Sequence, residues 1–206
     1  DLPDGTYTFR IEYAGASLQK AQNVATDPLV IFATRDVTVR LEDSAGNPLD
    51  PGVADYYAAG WKAFGSTAGG EVHRELLPTT YTFAMSNAGA RVQKAQNVAT
   101  DPLVVFRTGS VVSGSGTCSS YSAAGWRTFT AGMQLLPMTY TFGFSSGTPT
   151  QQSFAIQAGT ENLSRWVPYT SQGKGRAPIS RPARPLEGGA EQLRRADVQH
   201  HVAAGP

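Results

Sequence analysis

A chain of 206 residues with 40% hydrophobic content has enough apolar side chain to fill a core in one or two domains, which excludes disorder throughout. The formal charge of +1 conceals an asymmetry, because residues 1–170 carry 11 Lys/Arg against 13 Asp/Glu while residues 171–206 carry 6 against 3. A nucleic-acid binder would place a basic stripe among aromatics on its folded part; here that part is slightly acidic, so nucleic acid is set aside as a partner.

The first predicted strand is Tyr7 to Tyr13, in which Tyr7, Phe9, Ile11 and Tyr13 share one face and alternate with Thr and charged residues. The block after it, Gln19–Val30, returns unchanged as Gln93–Val104, an offset of 74 residues. The chain is therefore a tandem repeat. Tyr81, Phe83 and Met85 repeat the first strand at the same offset, and Tyr140, Phe142 and Phe144 repeat it again after Leu135-Leu136-Pro137.

From Asp36 onward a complete unit predicts seven short strands, at 36–42, 53–58, 61–64, 71–76, 80–86, 91–97 and 103–108, separated by turns rich in Gly, Pro, Asn and Ser. Seven strands in about 73 residues predict a two-sheet sandwich, since one open sheet of that size would leave an apolar face wet. Residues 1–35 match only the last three strands of this unit. The expectation is that the chain opens in mid-module and that the natural protein is longer upstream. The unit at 110–169 is shorter, with Ser113–Thr117 in place of the longer first hairpin, as a terminal capping repeat would be. After Tyr169 no aromatic residue occurs, and residues 170–206 are expected to be a disordered or non-native tail. The fold class is all-β: tandem small antiparallel sandwiches followed by an unstructured tail.

The segment Gly70 to Phe83, with Leu76-Leu77-Pro78 running into Tyr81-Thr82-Phe83, resembles the Gly…Leu-x-Pro-Gly-x-Tyr-x-Phe stretch of prealbumin-like and carboxypeptidase-regulatory-like (Ig-like) sandwich repeats of bacterial secreted and surface proteins. Thr79-Thr80 stands where that family has a glycine. The resemblance implies an extracellular or cell-surface location and a stalk or adhesive role without catalytic residues or cofactors. The lone Cys118 permits no intrachain disulfide. No apolar run is long enough to cross a membrane as a helix, and Asp1-Leu2-Pro3 does not begin a signal peptide, so any targeting segment is expected upstream.

Repetition disfavours catalysis, because a catalytic constellation needs different residues converging once. Gly143-Phe144-Ser145-Ser146-Gly147 fits G-x-S-x-G and makes Ser145 a candidate esterase nucleophile. That motif needs a helix after the serine, and the sequence offers a further strand from Gln152. A triad also needs a base; His73 is the one histidine of the folded part, and it falls in a strand between charged neighbours. His200-His201 lacks a third metal ligand at suitable spacing, and no cation stands near Cys118 in sequence to activate its thiol. Glu42, Asp43, Asp50 and Asp55 surround the first hairpin, but calcium needs six to eight oxygens, so a polar turn is the expected reading.

The aromatic set offers a second function. Tyr56, Trp61 and Phe64 recur as Tyr121, Trp126 and Phe129, each at an offset of 65 residues, and flat rings along a rod stack on sugars. Tyr56, Tyr57, Trp61, Tyr121 and Trp126 are therefore the ligand-binding candidates. Trp61 and Trp126 are expected to anchor the core, which leaves Tyr57, replaced by Ser122 in the next unit, as the candidate for an exposed face. The leading reading is a non-catalytic stalk or adhesive segment; a polysaccharide- or glycan-binding module comes next, and a hydrolase using Ser145 third. No metal site and no catalytic residue are assigned.

Overall fold

Strand residues alternate between Tyr, Phe, Val or Leu on one side and Thr, Ser or charged residues on the other. That pattern suits a pleated surface buried on one face. The computed structural model describes residues 2–113, 118–145, 150–164 and 180–182, and among them every regular element is a strand. The first hairpin is β1 (Thr6–Tyr13) and β2 (Ala16–Asn23). Seven strands follow: β3 (Arg35–Glu42), β4 (Val53–Tyr57), β5 (Trp61–Ser66), β6 (Glu71–Leu76), β7 (Thr80–Asn87), β8 (Ala90–Asn97) and β9 (Leu103–Arg107). All seven lie where the alternation predicts them.

These strands form a three-stranded sheet, β6-β3-β9, and a four-stranded sheet, β5-β4-β7-β8. β9 runs parallel to β3, whereas the other pairs are antiparallel. The apolar faces meet in a sandwich: Val37, Val39 and Leu41 of β3 bury against Ala54 and Tyr56 of β4 and Tyr81, Phe83 and Met85 of β7. Phe83 is fully buried, with Phe64 edge-on at 5.8 Å between ring centroids. The Tyr81 hydroxyl donates to the Leu77 carbonyl at 3.1 Å, which satisfies a phenol that would otherwise be buried without a partner. The Thr79 amide donates to the same carbonyl at 2.9 Å, so the turn closes around Pro78 without the glycine of the resembled family.

The same order is built again from β10 (Gly109–Ser113), β11 (Cys118–Ser122), β12 (Trp126–Thr128), β13 (Met133–Leu135), β14 (Thr139–Phe144), β15 (Gln151–Ala155) and β16 (Thr160–Ser164). Its sheets are β13-β10-β16 and β12-β11-β14-β15, and Tyr140 donates to Leu136 at 2.9 Å as Tyr81 does to Leu77. The shortening seen in the sequence thus removes no strand; it falls on connections and on the three-residue β12 and β13. Ser180–Pro182 (β17) pairs with β16, and the rest of the expected tail lies outside the described residues.

Residues 1–35 depart from expectation, because only two of their three predicted strands form. The third would be the counterpart of β9, which exists through its ladder with β3. No such strand stands beside residues 29–33 among the described residues, and Leu29 and Ile31 are exposed. Without a ladder the backbone gains nothing from strand geometry. Tyr7, Phe9 and Ile11 are accordingly only half-buried, whereas their counterparts Tyr81, Phe83 and Met85 are closed off.

Two outcomes follow from the core. Phe83→Ala should cost about 3–5 kcal/mol in a urea unfolding series, through lost burial and the cavity left between the sheets. Burial, with Tyr56 close by, pushes the Tyr81 phenol from 10 up to about 12, and burial also raises Tyr121 and Tyr140. The folded state therefore favours the neutral phenols. Their stabilisation is complete below pH 10 and lost as pH rises through the window from 10 to about 12. Base titration followed together by tyrosinate absorbance at 295 nm and by circular dichroism should show these phenols ionising only as the sheets come apart.

Candidate functional site

Two features of the surface are repeated: the joints between successive sandwiches and the outer faces of the four-stranded sheets. Each joint begins at a hairpin tip. Ala14-Gly15 turns β1 into β2, and Ala88-Gly89 turns β7 into β8, with φ of 52° and 86° in the first and 49° and 80° in the second. A two-residue hairpin loop with both residues left-handed matches the twist of its strands. It also leaves the alanine carbonyl free to face outward. The Tyr56 hydroxyl donates to the Ala14 carbonyl at 3.1 Å, and the Tyr121 hydroxyl to the Ala88 carbonyl at 3.0 Å. Each sandwich thus grips the tip of the hairpin before it, β1-β2 in the first case and β7-β8 in the second.

A basic side chain lies against each tip. A Cβ on Gly15 would stand 2.4 Å from Cε of Lys62 and 2.7 Å from the Ala58 carbonyl oxygen; one on Gly89 would stand 2.3 Å from Nε of Arg127. Lys62 and Arg127 occupy equivalent positions, each pairing across its hairpin with the gripping tyrosine, Tyr56 or Tyr121. The buried apolar side chains of the two sandwiches form one continuous cluster, with Ala14, Ala16 and Ala88 packed against it.

The second joint carries an additional clamp. Only Thr108 separates β9 from β10, and it is wholly buried. Its amide donates to the Glu42 carbonyl at 2.9 Å, and its own carbonyl accepts from the Gly159 amide at 2.9 Å. The Gln134 side-chain oxygen accepts from the Thr108 hydroxyl at 2.8 Å and from the Ser44 amide at 2.9 Å. Glu42, itself buried, takes two hydrogen bonds from Arg107 at 3.0 and 2.6 Å. At the first joint the counterpart of Thr108 is the exposed Thr34, and a cleft of about 420 Å³ opens there between Leu18, Phe32, Pro78 and Ala99.

The aromatic candidates divide in a way the sequence reading did not anticipate. Tyr56 and Tyr121 are each 1% exposed, so their rings belong to the core and offer no face to a ligand. Trp61 and Trp126 are 44% and 52% exposed, so neither anchors the core. The reason is strand geometry: Phe64 and Phe129, three residues further on, are buried, and residues three apart in a strand point to opposite faces. Tyr57 is half-exposed, edge-on to Trp61 at 5.6 Å.

The other candidates go to separate partners. Asp43 takes hydrogen bonds from Ala45 and Asn47 within its turn, Asp50 from Thr67 and Gly70, and Asp55 pairs with Arg91. Burial raises the Asp43 carboxyl, but the hydrogen bonds from Asn47 and its neighbours outweigh it and hold the group below its usual range; the Thr67 hydroxyl does the same for Asp50. Among the described residues no group of three His, Cys, Asp or Glu is placed to hold a metal ion. His73 lies on β6, half-exposed, against Thr38 at 3.0 Å. Ser145 follows β14 in the connection to β15, and the Cys118 thiol reaches the Ser120 carbonyl at 3.6 Å. The joint residues Ala14, Gly15, Lys62 and their counterparts escaped the sequence reading. The available signal was an Ala-Gly pair recurring at 74 residues and a Tyr…Lys/Arg pair recurring at 65, two offsets that no single alignment joins.

The chain is thus a tandem all-β sandwich protein. No family model and no curated protein matches it. Among solved structures it is similar to a streptococcal ancillary pilin at 15% identity, over 76% of this chain and 72% of that one, with a TM-score of 0.27. Similarity at that level carries no argument about role. No helix among the described residues is long and apolar enough to cross a membrane.

The grip can be tested at its glycine. Gly15→Ala places a methyl group against a backbone carbonyl and a left-handed φ on alanine, and should loosen the first joint by about 1–2 kcal/mol. Hydrogen exchange should quicken at 13–16 and 56–58 and stay unchanged at 80–87. Gly69→Ala, at φ +64 with nothing within 4 Å of the new methyl, isolates the backbone strain from the steric clash.

Proposed function

We propose that this chain is a non-catalytic spacer: a segment of a bacterial extracellular or cell-surface stalk, with successive sandwiches divided near 35/36 and 109/110 and held at fixed orientation. The observation that carries this reading is the duplicated grip of tyrosine hydroxyl on hairpin-tip carbonyl, with a basic side chain against the neighbouring glycine, formed at Ala14 and again at Ala88. A flexible string of beads needs no such joint, and the single residue between β9 and β10 leaves no slack for one. A reaction-bearing site would converge once, whereas what is duplicated here is a mechanical contact. The location follows the resemblance of the Leu-x-Pro…Tyr-x-Phe segment.

Spin labels at the exposed positions Gln93 and Gln151 test stiffness directly. The expected double electron–electron resonance trace is a single narrow distance distribution, broadened by Tyr121→Phe, which removes a hydrogen bond worth about 0.5–1.5 kcal/mol. A distribution in the parent chain as broad as that of a Gly/Ser-linked pair defeats the spacer reading. Ester hydrolysis abolished by Ser145→Ala would assign the chain to the hydrolases instead.

A further inference from the structure

The outer faces of the two four-stranded sheets carry a tryptophan at the same place and differ in the side chains that engage it. On the first, Arg91 reaches from β8 to pair with Asp55 of β4, and its guanidinium carbon lies 4.7 Å from the Trp61 ring centroid. Tyr57 meets the same indole edge-on. Trp61 is therefore engaged by its own sheet, in a cation–π contact backed by an ion pair.

On the second sheet those partners are gone. Ser120 stands in the place of Asp55, Ser122 in that of Tyr57, and Gly143 in that of Ala84. A Cβ on Gly143 would stand 2.5 Å from Ser120 Oγ and 3.2 and 3.7 Å from Cζ3 and Cη2 of Trp126, so the outer edge of the indole reaches over the glycine beside the Ser120 hydroxyl. Gly143 is buried although it points outward, and Trp126 remains 52% exposed. Lack of a side chain at 143 is what leaves room above the sheet for both the indole edge and the Ser120 hydroxyl. Around it the outward positions are Ser122, paired directly with Trp126, then Ser120, Thr141, Ser153 and Gln151. Thr141 and Ser153 hydroxyls lie 3.0 Å apart. Among the described residues of these four strands no charged side chain occupies this face, and no cation stacks on Trp126.

A flat aromatic ring set among neutral hydroxyl and amide groups matches a sugar, whose axial C–H groups stack on the ring while its rim hydroxyls exchange hydrogen bonds. A protein partner fits poorly. One indole supplies at most about 150–250 Å² of apolar contact, against about 800 Å² per partner in a standard interface. A nucleic acid or acidic glycan would want cations, which this face lacks. We propose that Trp126 is the stacking platform of a neutral-polysaccharide site on the outer face of β12-β11-β14-β15, and that Trp61, held by Arg91, is not. This goes beyond the spacer reading and does not rest on it, and of the five aromatic candidates it keeps Trp126 alone.

The indole N–H signals of the intact ¹⁵N-labelled chain, assigned through Trp61→Phe and Trp126→Phe, read the two sites separately. The probes are neutral hexasaccharides of glucose, mannose and N-acetylglucosamine, with a hexagalacturonate as the charged control. The Trp126 signal should move saturably with at least one neutral probe, at a dissociation constant on the order of millimolar to micromolar. Trp126→Ala should weaken that binding at least about tenfold, whereas Trp61→Ala should change it less than about twofold. Gly143→Val, which displaces the indole without removing it, should also weaken it. Circular dichroism verifies folding, and should Trp126→Ala unfold, Trp126→Phe replaces it with several-fold weaker binding expected. The proposal fails if no neutral probe shifts Trp126, if Trp61 moves instead, if the galacturonate alone binds, or if binding survives the Trp126 replacements unchanged.

Discussion

In each complete sandwich the central strand carries Tyr-x-Phe inward, and the phenylalanine faces a tyrosine on the neighbouring strand: Phe83 opposite Tyr56, Phe142 opposite Tyr121. These rings fill the space between the sheets in tilted and edge-on contacts, with centroids 5.7–6.4 Å apart. A phenol in such a core must find a hydrogen-bond partner or incur a desolvation penalty of about 1–3 kcal/mol. Tyr81 and Tyr140 find theirs within their own sandwich. Tyr56 and Tyr121 find theirs in the preceding repeat. The core and the joint therefore share one side chain.

This sharing limits how much the joint must order when it forms. A hydroxyl projecting from a mobile surface side chain would lose rotamer entropy on docking, whereas the rings of Tyr56 and Tyr121 are already immobilised by burial. The hairpin tip arrives equally constrained, its two left-handed residues fixing the direction of the alanine carbonyl. Each hydrogen bond is modest by itself. Its contribution to orientation comes from both partners being held in place before they meet. The second joint has the buried Thr108–Glu42–Gln134 network, whereas at the first Glu75 stands in the place of Gln134 and both it and Thr34 are exposed.

The two outer sheet faces give one architecture two different surroundings for its tryptophan. Asp55, Arg91 and Trp61 satisfy one another, and a ring so engaged has less to offer a ligand. Exchanging the acid for Ser120 and Ala84 for Gly143 leaves Trp126 over the glycine and half-exposed. The scaffold is constant while its surface varies, so function is read from the particular side chains on a face.

Much of this was legible in the residue order. Period-two alternation placed the strands from Arg35 to Arg107, because burial of one face is a local, repetitive demand that each strand answers by itself. The outward position of the tryptophans was also there to be read: Trp61 and Phe64 stand three apart and cannot share a strand face, as is true of Trp126 and Phe129. What the sequence by itself determined was the strand class, the repeat and the inward face. What only the tertiary structure decided was which groups meet across the fold. Residues 29–33 share their pattern with β9 yet form no strand, since a strand needs a neighbouring ladder. The grip of Tyr56 on Ala14 spans 42 residues and that of Tyr121 on Ala88 spans 33, and Arg91 reaches Asp55 across 36. Contacts at such separations leave no periodic trace along the chain; they exist because chain segments that are each locally satisfied pack where their remaining donors, acceptors and rings find partners.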